Sequence, residues 1–181
     1  MTGIILPEKK LERRRLALQQ VFRAVARSSR VEVFYQYGAT SIIIGLGKEN
    51  FGSDLRRARH PSRISNIFVN YFEVWLAQKG GVQFLLDKAY MHLDIPFADG
   101  TGDEEVLALH CDPTIAETDP SYTYKRGPHL HISGNKRDIS RAHIALCLSD
   151  IERSCHNYDA FSKVFAEIIL MIDHELLPKF Q

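Results

Sequence analysis

Four stretches in the second half of the chain alternate apolar and polar residues with a period of two: Ala89–Ile95, Glu105–Cys111, Pro128–Ser133 and Arg141–Leu148. Side chains at i and i+2 of an extended strand leave the same face of a sheet, so this period marks strands with two unlike faces. Met91, Leu93 and Ile95 share one side, as do Leu107 and Leu109, Leu130 and Ile132, and Ile144, Leu146 and Leu148. The other side carries Tyr90, His92 and Asp94, then His110 and Asp112, then His129, His131 and Ser133, then His143. Five of the eight histidines therefore fall on one side. A parallel sheet covered on both faces would read as continuous apolar strands, so the pattern points to an antiparallel sheet.

A chain of 181 residues with 45% hydrophobic content can build one sizeable core. The expected architecture is a single α+β domain over 1–181: a predominantly antiparallel sheet of about six strands, with helices packed on its apolar face. The sheet core is placed at about 31–148. A first, basic helix is expected over about 8–28, where Leu11, Leu18, Val21, Phe22 and Val25 form one stripe and Pro7 suits the start. Val31–Tyr37 and Thr40–Leu46 read as a hairpin around Gly38-Ala39, followed by a loop from Gly47 to Pro61. A second helix is expected over 61–79, with Ile64, Ile67, Phe68, Tyr71, Phe72 and Trp75 on its buried stripe and Gly80-Gly81 closing it. A last helix covers about 158–176, with Phe161, Val164, Phe165, Ile168, Ile169 and Ile172 facing inward and Asn157 or Asp159 as cap.

Charge is uninformative overall, with 23 Lys plus Arg against 22 Asp plus Glu. Locally, Lys9, Lys10, Arg13, Arg14 and Arg15 form one basic run, and Arg56, Arg57, Arg59, His60 and Arg63 form another. Such runs suit nucleic acid, although each also reads as a solvated helix face. Cys111, Cys147 and Cys155 lack CxxC spacing, which argues against a disulfide scaffold and against a zinc ribbon. No apolar run reaches the ~18 residues of a membrane span, so a cytoplasmic protein is expected.

The chemistry is expected on the histidine side. His129 and His131 lie about 6.6 Å apart on one strand face, and a neighbouring strand can bring His110 or His92 opposite. His129, His131 and His110 with Asp94 or Asp112 would satisfy a divalent metal such as zinc and leave a position open for water. The same four histidines suit metal-free acid–base catalysis, one neutral ring taking a proton and a protonated one giving it. Lys125 and Arg126 would bind phosphate, and Tyr122 and Tyr124 would stack a base. The 113–126 loop carries them and is stiffened by its prolines, so it should border the histidines as a hinged flap. The chain lacks the third histidine of the His-triad nucleotide hydrolases. It also has one strand-borne His-x-Ser, His131-Ile-Ser133, where the two-histidine phosphoesterases need two.

The leading expectation is a small intracellular hydrolase or nuclease acting on a phosphodiester, with RNA as the natural substrate because its 2′-hydroxyl is an internal nucleophile. The alternative is a non-catalytic subunit of a bacterial two-protein module, of the toxin–antitoxin or defence type, that buries an apolar face on a partner protein or a second copy. An ordinary solvated sheet face also accepts histidine.

Overall fold

The computed structural model describes residues 3–25, 32–46, 59–62, 66–97, 99–132, 142–146, 157–176 and 178, with backbone alone for Ala24, Arg59, His60, Tyr124, Ile132, Ala142 and His143. In chain order these are β1 (Ile5–Pro7), α1 (Glu8–Val25), β2 (Val33–Tyr37), β3 (Ser41–Leu46), β4 (Arg59–Pro61), β5 (Phe68–Ala77), β6 (Gln83–Pro96), β7 (Asp103–Cys111), the single turn α2 (Tyr122–Lys125), β8 (His129–Ile132), β9 (Ala142–Ala145) and α3 (Tyr158–Met171). A π-helical turn, Ile172–Leu176, continues α3. One sheet runs in the order β2-β3-β5-β6-β7-β8-β9, with β1 added to β6 and β4 added to β5. Every pairing is antiparallel. This is the expected α+β class, with more strands than expected. No helix among the described residues is long and apolar enough to cross a membrane.

The expected hairpin forms between β2 and β3, and Gly38 N–H closes it by donating to the Ser41 carbonyl at 2.7 Å. The Asn157 side chain caps α3 by accepting from the Ala160 amide at 3.0 Å.

The helix expected over 61–79 is not there. That stretch holds the end of β4 and the whole of β5, and residues 63–65 lie outside the described residues. β5 sits between β3 and β6 and is buried from Val69 to Trp75 without a break. A strand covered on both faces loses its polar–apolar alternation, so apolar residues can fall by chance on a helical spacing. Composition argued the other way, since Phe, Val, Tyr and Trp fit a pleated surface better than a helix. Gly80 and Gly81, read as a helix cap, have φ of +95° and +69° and make the β5–β6 turn instead. The loop expected over Gly47–Pro61 ends in strand β4, and 47–58 lies outside the described residues.

Alternation along β5 sends Val69, Tyr71, Glu73 and Trp75 to one face and Asn70, Phe72 and Val74 to the other. Both helices pack on the first of these. Phe22 of α1 and Phe165 of α3 meet the Tyr71 ring at 4.7 and 5.8 Å between centroids. Glu73 is fully buried at their junction. It receives Arg14 Nε and Nη2 at 2.9 and 2.6 Å, Trp75 Nε1 at 2.9 Å, and the Tyr71 hydroxyl. Arg14 also donates to Ser162 Oγ at 2.9 Å and lies over the Phe161 ring, so one guanidinium joins β5 to both helices. Desolvation pulls the Arg14 pKa down, but the charge and hydrogen bond of Glu73, together with Tyr71 and Tyr158, hold it above the ordinary value. The next residue, Arg15, and Gln19 reach the sheet edge: Nη1 donates to the Val33 carbonyl at 3.1 Å, and Oε1 accepts from the Val33 amide at 2.7 Å. β2 thus has part of its free edge satisfied by helix side chains, a common guard against stray strand pairing.

Removing one partner of this pair strands the other charge, so Arg14→Met should cost about 3–5 kcal/mol in urea unfolding. The double change Arg14→Met with Glu73→Leu should recover most of that loss. It should stay below the native stability, because Trp75 Nε1 and the Tyr71 hydroxyl each lose an acceptor worth about 1 kcal/mol.

Candidate metal centre

The strand register assembles the histidines into two rows across the sheet. Tyr90 pairs with His110, which pairs with His129. One step along, His92 pairs with Ala108, which pairs with His131. The rings pack against one another, with centroid separations of 4.0 Å for His110–His131, 4.9 Å for His129–His131 and 5.0 Å for His92–His110. Tyr90 stacks on His110 at 3.9 Å.

This face is not solvated. His129 and His92 are 0% and 1% exposed, and His110 and His131 are 8% exposed. Asn70 and Phe72 beside them are buried as well. Burying a group of imidazoles is costly unless their nitrogens are satisfied, so an ordinary polar sheet surface does not account for the arrangement.

Two of the rings have an oxygen partner on Nδ1. His129 Nδ1 lies 2.9 Å from the Gly127 carbonyl, which only accepts, so Nδ1 carries the proton and Nε2 keeps the lone pair. His92 Nδ1 lies 2.6 Å from Glu105 Oε2. A carboxylate or carbonyl behind the far nitrogen is the usual support of a metal-binding histidine. His110, His129 and His131 each offer a donor atom, and these atoms all lie within 4.8 Å of one another. An ion held at ~2.1 Å from each nitrogen would need donors drawn to about 3.4 Å apart, closer than their present spread.

Asp112 supplies the nearest carboxylate, with Oδ2 at 3.9 Å from His129 Nε2 and Oδ1 accepting from the Tyr90 hydroxyl. Burial pushes the Asp112 carboxyl up, against the opposing pull of the Tyr90 hydrogen bond, Lys125 and Lys88. Burial also pushes the Tyr90 phenol up. Tyr90 and Asp112 form one wall of an open depression of about 300 Å³, whose rim includes Lys88, Thr114 and Lys125. The 113–126 loop therefore borders the histidine face as expected, tied down by Thr114 Oγ1 donating to Asp87 Oδ1 at 2.7 Å.

The other sequence-derived candidates are placed as follows. Asp94 lies on β6 beyond His92 and is not part of the three-histidine group. Arg126 is buried, with its guanidinium over the Tyr122 ring at 4.8 Å and Nη1 donating to the Tyr122 hydroxyl at 2.5 Å. Tyr122 and Arg126 thus face each other within the loop, apart from Lys125. Tyr124 lies on α2, and His143 pairs in register with His131, but their side chains lie outside the description, as does all of Ser133. Cys111 is a buried core residue, as its alternation implied, and its thiol donates to the Arg126 carbonyl at 3.4 Å.

Glu105 escaped the reading of the sequence. Counting back in twos from Leu107 puts it on the apolar side. A bulge intervenes: Leu93 pairs with Leu107, yet the next residue, Asp94, pairs with Glu105, so Val106 is the extra residue. The inserted residue reverses the parity and turns Glu105 towards His92.

With zinc added to about 100 times its dissociation constant, stability should rise by about 2.7 kcal/mol. His131→Ala and His129→Ala should abolish that gain in chelator-competition and thermal-shift measurements, whereas Asp94→Asn should keep it.

No family model, curated protein or solved structure matches the chain, which leaves the arrangement of its own residues to carry the functional reading.

Proposed function

We propose that the protein is a metal-dependent hydrolase of phosphodiesters, with His110, His129 and His131 holding a zinc-class ion. The observation that carries this reading is the convergence of three buried imidazole donors within 4.8 Å. Three protein nitrogens leave one position of a tetrahedral ion for water, the arrangement used by catalytic rather than structural zinc. Such an ion, held by His110, His129 and His131, would supply an acidified water and offset the charge that builds on phosphate. Asp112, which lines the depression beside Tyr90, comes within 3.9 Å of His129 Nε2, so the depression would lead to the ion, and Lys125 and Lys88 on its rim would hold a phosphate there.

The depression's size bears on the substrate. About 300 Å³ suits a single nucleotide inserted from a strand end or loop, and not a duplex. RNA remains the substrate of choice for its unpaired loops and ends. The basic residues of α1 do not extend this site, because α1 packs on the opposite face of the sheet, against Tyr71 and Glu73.

A non-catalytic partner subunit is the second reading. Tyr37 and Val82 are 63% and 70% exposed and line one groove of about 570 Å³ with Pro7 and Tyr35. That groove would seat a partner protein or a second copy.

Purified protein should cleave a single-stranded oligoribonucleotide, lose that activity on chelation and regain it with zinc. Lys125→Ala should raise KM about tenfold, the loss of one charge-assisted contact, with metal content unchanged. A metal-free protein inactive on every phosphodiester offered, and dimeric or partner-bound by light scattering, would transfer the weight to the second reading.

A further inference from the structure

Lys125 and Arg126 are adjacent in the chain, yet they line different depressions. The Asp112 amide donates to the Lys125 carbonyl at 3.1 Å and closes the base of the 113–126 loop. Lys125 borders the depression beside Tyr90 and Asp112, whereas Arg126 lines a second one of about 350 Å³. Thr114 and Ile115 line both, so the two adjoin across that short ridge. The proposed function leaves the second depression without a task.

Its walls differ in kind from those of the first. Leu85, Pro113 and Ile115 give it apolar sides, which suit a flat ring better than a phosphate. Arg126 is buried, and Tyr122 fixes it twice: the ring lies under the guanidinium at 4.8 Å, and the hydroxyl accepts from Nη1 at 2.5 Å. A guanidinium carries five N–H donors in a rigid planar fork and keeps its charge at any physiological pH. Glu117, an exposed residue, lines the same depression.

Resting on the phosphodiester reading above, we propose that this second depression is the subsite for the base of the neighbouring nucleotide, and that it selects guanine. The Arg126 fork only donates, and the Glu117 carboxylate only accepts. Guanine alone among the four bases offers two adjacent acceptors, O6 and N7, together with two adjacent donor groups, at N1 and N2. Arginine on O6 and N7 is the commonest contact that reads a guanine. The apolar walls would cover the faces of the ring, and a single strand can splay a base out to reach them. Arg126 and Glu117 are then specificity residues, and Tyr122 is a positioning residue for Arg126.

The test is calorimetric binding of the dinucleoside monophosphates GpG, ApA, CpC and UpU to the full chain, with chelator present so that no cleavage intervenes. Native protein should bind GpG about tenfold more tightly than the other three, the gain expected of one bidentate pair. Glu117→Gln and Ala116→Trp alter exposed positions, so the fold should survive both. The first weakens the pairing with guanine and the second fills the depression, and each should bring GpG down to the level of the others. Lys125→Ala should weaken all four alike and keep the preference. Equal affinities that Lys125→Ala still lowers, a preference for another base, or a GpG preference untouched by both Glu117→Gln and Ala116→Trp would overturn the guanine subsite and leave the phosphate site standing. Native protein that binds none of the four, or binds them regardless of Lys125, would overturn both.

Discussion

Glu73 lies at the middle of the interior strand β5, flanked by sheet on both sides and covered by two helices, with none of its surface in contact with solvent. A lone carboxylate there would cost several kcal/mol, and one guanidinium meets most of that demand. Arg14 can do so only if α1 lies across β5 at one rotation and one height. Its third contact, with Ser162, sets the same condition on α3. The apolar residues around the pair supply the bulk of the burial, but greasy surfaces tolerate sliding and an ion pair does not. The pair thereby converts a generic helix-on-sheet layer into one fixed arrangement, and it leaves the opposite face of β5 and its neighbours free for other use.

That opposite face departs from the ordinary division of an antiparallel sheet into one apolar side and one wet side. Here the second side is buried too, and it is filled with imidazole, phenol and amide groups. Nitrogen donors, neutral and borderline in softness, suit zinc, copper, iron or nickel over calcium or magnesium. The single nearby carboxylate, Asp112, is held by Tyr90 and stands at the boundary with the depression.

Much of this was legible before any coordinates. Period-two alternation identified β6, β7 and β8 and put Tyr90, His92, His110, His129 and His131 on a common side. Helical periodicity identified α1 and α3, where one face meets the sheet and the other meets water. The failures have a shared cause, which is that sequence periodicity reports contrast between faces. β5 has no contrast, being buried on both sides, and its apolar residues imitated a helix. Arg14 carried no mark distinguishing it from Arg13 or Arg15, since pairing with a residue 59 positions away leaves no local trace. Which acidic residue stands near the histidines was equally hidden. Asp94 obeys the alternation and yet lies outside the group, whereas Glu105 breaks it and supports His92.

The adjacent residues Arg14 and Arg15 point to two different tasks, one inward to the buried carboxylate and one outward to the edge of β2. A single helical turn therefore closes both the core and the open side of the sheet. Peeling α1 away would uncover an unneutralised charge and an unpaired strand at the same moment. A chain lacking that helix would have little prospect of persisting as a smaller, looser version of the same fold. Its most accessible way to satisfy Val33 and its neighbours would be another chain's backbone, so for this architecture partial unfolding at the N-terminal helix and self-association are two descriptions of one event.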